Sequence, residues 1–160
     1  MAKQPKIWLL FFLWLCCVPH VFAEIRIFGL TDFDFGRWVL GAGPLQANAN
    51  LCVTVSPPGA PLYQITAYGA GGNNSFVLTS AGNELPYRLF FNDRARPNGA
   101  TEFVPGQALI SLRARRRGGP NQTQCNRPNA NISTLISDVD LAQIPAGRYG
   151  GTIILIVGPE

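Results

Sequence analysis

Beyond residue 20 this chain of 160 residues has no histidine, and beyond residue 6 it has no lysine. The first absence removes the Ser-His and Cys-His pairs of nucleophilic catalysis from that stretch. It also removes every histidine metal ligand, and leaves only Cys52 and Cys125 as thiol ligands there. The second removes Schiff-base chemistry and the lysine that sortase-type pilins need for isopeptide links; no LPxTG-like tail is present either. No P-loop signature surrounds Gly69 to Gly72. Two carboxylate pairs remain, Asp32 with Asp34 and Asp138 with Asp140, each spaced to share one face of a strand. A glycosidase needs two carboxylates across a cleft, and a chain this short leaves little room for one. The expectation is a protein that is not an enzyme and carries no cofactor and no metal.

The first 23 residues read as a secretory signal. Lys3 and Lys6 charge the start, Ile7 to Val18 is apolar without interruption, and Val21-Phe22-Ala23 suits signal peptidase. An apolar run of about 12 residues is short for a membrane span, which needs about 20. Leu15 before Cys16 is a poor fit to a lipobox. Removing 23 of the 160 residues leaves 137, a length for one domain from Glu24 to Glu160. That portion holds 11 Arg against 9 Asp and Glu, a net charge of +2, so the sequence pI of 9.1 overstates its basicity and nucleic-acid binding is not expected. Its two cysteines, Cys52 and Cys125, read as a disulfide in an exported protein.

What is abundant is turn punctuation. Gly and Pro number 17 and 13, and they sit between short apolar runs. Ile25 and Ile27, then Phe33 and Phe35, alternate near the start. Leu51 to Val55, Tyr63 to Ala67, Phe76 to Thr79, Leu85 to Phe91, Leu109 to Ala114 and Ile132 to Ile136 follow as strands. Leu85, Tyr87, Leu89 and Phe91 are expected on one face, as are Ile110, Leu112 and Ala114. No helical period of ten residues emerges. About eight short strands predict an all-β sandwich. Arg115-Arg116-Arg117 reads as a solvated loop, with an acidic glycan or partner as the sharper alternative. The three Asn-X-Ser/Thr matches in this Asn-rich chain read as chance.

The last strand is the most apolar. Ile153, Ile154, Leu155, Ile156 and Val157 run unbroken, and four of the five are β-branched. Such a run predicts a strand buried on both faces, with a partner wanted on each hydrogen-bonding edge.

Three stretches together resemble the spore coat protein U domain of archaic chaperone–usher pilus subunits. They are Phe35-Gly36 followed by Leu51 to Val55; Leu85-Pro86-Tyr87-Arg88-Leu89-Phe90-Phe91-Asn92-Asp93; and Ile144-Pro145-Ala146-Gly147-Arg148-Tyr149-Gly150-Gly151-Thr152-Ile153, similar to the family's P-A-G-x-Y-x-x-x-L ending. The resemblance implies an immunoglobulin-like β-sandwich that is incomplete and is completed by a donated strand. It implies a periplasmic chaperone, an outer-membrane usher and neighbouring subunits as partners, a host or surface ligand for an adhesive member, and export to the cell surface. Residues Ile153 to Val157 are then expected to line the donor-strand groove. The other reading is a self-complete adhesin or carbohydrate-binding sandwich that does not polymerise.

The N-terminus departs from the family. Residues 24–34 span about 36 Å at most at about 3.3 Å per residue, too little for a donor strand, a linker and a first strand. Ile25, Ile27, Phe33 and Phe35 are therefore expected in the subunit's own first strand, which would place the chain at a fibre tip. The alternative makes Ile25 and Ile27 a donor, with the sandwich starting near Phe33.

Overall fold

The computed structural model describes residues 24–56, 62–114 and 127–160. Ten strands and one short helix follow in order: β1 Glu24–Phe28, β2 Leu45–Ser56, β3 Tyr63–Tyr68, β4 Val77–Ser80, β5 Asn83–Pro86, β6 Arg88–Asn92, β7 Thr101–Glu102, β8 Ala108–Leu112, β9 Ala130–Ile136, α1 Asp138–Gln143 and β10 Ile154–Pro159. One sheet runs β1-β2-β9-β6-β7, a second β10-β3-β8, and β4-β5 is a separate hairpin. All pairings are antiparallel.

The core lies between the two larger sheets. Leu51 and Val53 from β2, Leu89 and Phe91 from β6, and Ala130, Ile132 and Ile136 from β9 meet Tyr63, Ile65 and Ala67 from β3. Each fully buried aliphatic or aromatic side chain contributes roughly 1.5–3 kcal/mol relative to exposure. Leu85, Tyr87, Leu89 and Phe91 are all buried, as their alternation predicts. They do not form one strand, however. Pro86 has no N–H to donate, and the chain changes sheets at Tyr87, between β5 and β6.

β2 is 12 residues long and starts six residues before the expected Leu51. Its first half alternates Leu45, Ala47 and Ala49 with Gln46, Asn48 and Asn50. The two alanines make that apolar face weak in sequence. Leu45 to Leu51 pair with β9, while Cys52 to Ser56 pair with β1 on the other edge. The β9 side of Val53 would be bare, and Asn129 covers it. Its Oδ1 accepts from the Val53 N–H and its Nδ2 donates to the Val53 carbonyl, both at 2.8 Å. One side-chain amide thus stands in for a neighbouring strand.

β8 departs from the expected alternation. Ser111 sits at φ 59, in the left-handed region. Between the pairs Tyr63↔Leu112 and Ile65↔Leu109, two residues of β8 oppose one of β3. This bulge turns Leu109 and Leu112 toward the core and leaves Ile110 exposed. The expected face of Ile110, Leu112 and Ala114 is therefore broken at Ile110.

The carboxylate pairs also land differently. Asp138 and Asp140 occupy the first turn of α1, not a strand. Ser137 caps that helix: its Oγ accepts from the Asp140 N–H at 3.1 Å and donates to Asp140 Oδ2 at 2.6 Å. Asp32 and Asp34 lie in the strand-free stretch between β1 and β2, where Asp34 Oδ1 accepts from the Gly36 N–H at 2.9 Å.

Among the described residues two buried polar atoms, Tyr63 Oη and Asn131 Oδ1, have no hydrogen-bond partner. They set up a contrast with Asn129. Asn129→Ala should destabilise by about 2–4 kcal/mol in denaturant melts, because both Val53 backbone groups lose their partner. Tyr63→Phe should leave stability unchanged or raise it, since the hydroxyl it removes has no partner to lose.

Candidate functional site

β10 forms one edge of the three-stranded sheet. Ile154 to Pro159 pair residue for residue with Tyr68 to Tyr63, and among the described residues no strand is hydrogen-bonded to the other edge of β10. β1 is the matching edge of the five-stranded sheet, and it lies close to β10. Its register with β2 runs from Glu24↔Ser56 to Phe28↔Cys52, and Ile25 and Ile27 pack against the core. Gly29 then takes φ +77, a conformation that glycine adopts without strain, and the chain leaves the sheet. Residues 29–44 form no strand.

A cleft of about 420 Å³ opens where this strand-free stretch faces the approach to β10. Leu30, Phe33 and Phe35 form one wall, and Tyr149, Ile153 and Leu155 the other. Tyr87, Leu78 and Ile132 form an apolar floor. The sandwich core is thus reachable from this side. Asp32 is the one charged residue of the lining. It is exposed and makes no hydrogen bond or ion pair among the described residues.

The second wall is held by backbone contacts. Gly150 and Thr79 exchange N–H to O bonds at 3.2 and 2.8 Å. At Gly151 a Cβ would stand 2.7 Å from the Val77 carbonyl oxygen, so any side chain would push this segment off β4. Tyr149 Oη donates to the Pro145 carbonyl at 3.0 Å and closes the turn that leads in. Of the tandem glycines before the last strand, Gly151 is therefore a packing requirement as well as punctuation, while a Cβ at Gly150 would meet open space.

The structure divides the five candidate groove residues into two sets. Ile153, Leu155 and Val157 pack against the core, and the first two of them line the cleft. Ile154 and Ile156 point the other way and are 58% and 55% exposed. Among the described residues of the single chain, the expected burial of this strand on both faces does not occur, nor does pairing on both edges. Alternation in a sheet with one covered face decides it. Phe33 and Phe35 pack against the core beside each other, ring centroids 6.4 Å apart, but outside any strand. They are not continuous with the strand of Ile25 and Ile27. Cys52 is buried and disulfide-bonded. Cys125, Arg115 to Arg117 and the first 23 residues lie outside the described residues.

Sequence reasoning did not single out Leu30, Leu78, Ile132 or Thr134 as site residues, and it weighed Asp32 only as a carboxylate pair with Asp34. These residues come from three separate segments, the stretch after β1, β4 and β9, and no spacing along the chain links them. Tyr149 was visible only inside the P-A-G-x-Y stretch.

No family model and no curated protein matches the chain in sequence. Solved structures do. A chain from a chaperone–tip adhesin complex of CFA/I fimbriae biogenesis superposes with TM-score 0.60 at 17% identity, over 86% of this chain and 42% of that one. A chain from the CsuC–CsuE chaperone–tip adhesion subunit pre-assembly complex of the archaic chaperone–usher Csu pili of Acinetobacter baumannii covers 86% of this chain and 40% of that one, at 19% identity and TM-score 0.48. The chain therefore spans about two fifths of the length of either structure. The first likeness establishes the fold: an all-β, antiparallel, immunoglobulin-like sandwich whose sheets are not closed.

Burial holds Tyr87, on the cleft floor, as the neutral phenol and pushes its pKa up to about 12. Burial, with the Asp93 charge added, holds Tyr63 further up still. A raised pKa means that the stabilisation is complete below the ordinary value of 10.0 and is lost as pH climbs through the folded-state value. Stability measured by denaturation should therefore fall as pH rises from about 10 toward 12. Tyr87→Phe should flatten part of that fall, and an unchanged slope would contradict the burial argument.

Proposed function

We propose that this chain is a subunit of a bacterial surface pilus or fibre, assembled by chaperone and usher, whose sandwich is completed by a strand donated along the free edge of β10. One observation carries this reading: an unpaired strand edge directly beside an apolar cleft that reaches the core. An unpaired edge is a template for strand addition and an aggregation hazard when bare. A periplasmic chaperone that lends a strand covers it first, and a neighbouring subunit's strand covers it in the fibre. The fold shared with a chain from a fimbrial chaperone–tip adhesin complex supports the same reading.

The finer parts rest on the sequence. The spore coat protein U resemblance rests on its three stretches. Export rests on residues 1–23, and a Cys52–Cys125 bridge on two cysteines in an exported chain. The pairing of β1 with β2 supports the assignment of Ile25 and Ile27 to the subunit's own sandwich, and with it a place at the fibre tip. A protein of this kind is an interaction module and not an enzyme.

The two faces of β10 supply the test. Leu155→Asp places a carboxylate against the core beside the cleft, where an unpaired charge is costly. Ile156→Asp places the same group on the exposed face. Chaperone co-purification and surface display should fail for Leu155→Asp and survive for Ile156→Asp. Equal behaviour of the two variants would refute strand acceptance at this edge. So would a wild-type chain that is fully soluble and monomeric without any chaperone, which is what a self-complete adhesin sandwich would show.

A further inference from the structure

We infer that the strand accepted at this cleft carries a cationic side chain, Lys or Arg, at the position that meets Asp32, flanked by apolar residues that enter the cleft. This rests on the strand-acceptance reading and adds the chemistry of the partner. The cleft lining is mainly apolar, with Leu30, Phe33, Phe35, Leu78 and Leu155 beside three threonines, and Asp32 is its single formal charge. Asp32 is not engaged by any group of its own chain among the described residues. A strand laid along β10 closes over the cleft and removes water from its rim. A carboxylate that loses water without a partner costs free energy. An apolar or acidic residue opposite Asp32 therefore weakens binding, and a cation recovers the loss. The carboxylate also acts by exclusion, since discrimination between partners is a difference of affinities.

The surrounding charges reinforce this sign. The strand directions put the stretch between β1 and β2, the β4-β5 hairpin and α1 at one end of the sandwich. Asp34, Glu84, Asp138 and Asp140 belong to these segments, against Arg37 and Arg148. The opposite end has Arg94, Arg96 and Arg113 beside Asp93 and Glu160. The end that holds the cleft is thus the acidic one.

The test uses the purified exported protein and nine-residue peptides that alternate Val and Thr. Each carries one Lys, Gln or Glu, moved through the peptide one position at a time. At one position the Lys peptide should bind roughly two- to five-fold tighter than the Gln peptide at low salt, and the Glu peptide correspondingly weaker. The preference should shrink with added salt. Asp32→Asn should abolish it and Asp32→Lys should reverse it in favour of Glu; both changes are at an exposed residue. Peptides that bind with no Lys-over-Glu preference at any position would overturn this inference and leave strand acceptance standing. A preference that persists in Asp32→Asn would also overturn it. If no alternating peptide binds at all, both readings fall.

Discussion

Backbone hydrogen bonding along β2 is the constraint that the rest of this sandwich is built to satisfy. A strand of 12 residues offers donors and acceptors on two edges. β9 takes one edge of the first half, β1 takes the other edge of the second half, and the Asn129 amide extends the β9 side to Val53. Among the described residues the β1 side of the first half receives no strand, because the chain turns away at Gly29. The cleft is the spatial consequence: where no strand continues β1, irregular chain carries Phe33 and Phe35 across the gap instead.

This arrangement explains which parts of the fold could be read in the sequence. Strands whose inner face is made of large side chains were legible, as with Tyr63 to Ala67 and Leu85 to Phe91. Strands whose inner face is small were not. Ala47 and Ala49 concealed half of β2. The six-residue helix α1 was too short for a period, although Ser137 with Asp140 carries a capping signal. The bulge at Ser111 was invisible because serine gives no hint of a left-handed backbone.

The candidate site was legible in one dimension only. The apolar density from Ile153 to Val157 marked the strand β10, but not which of its residues face the core. That depends on whether a second layer covers the strand, which is a property of the sheets and not of the run. Exposed Ile154 and Ile156 show that an unbroken β-branched stretch is compatible with one covered face. The cleft floor, from Leu78, Tyr87 and Ile132, comes from strands far apart in the chain, so only the folded topology assembles it.

The bulge in β8 makes the two edges of the three-stranded sheet unequal. β8 is the edge opposite β10, and a regular unpaired edge there would be a template for pairing. Ser111 interrupts its regular ladder, and the Ser111 N–H is occupied by the Glu160 carboxylate at 2.6 Å. A bulged strand with a donor already engaged is a poor template for another chain. Among the described residues the two edges of this sheet are therefore unlike: the edge at β10 is regular and unpaired, and the edge at β8 is bulged with a donor already engaged. A sheet with one obstructed edge cannot seed an open-ended ribbon through both.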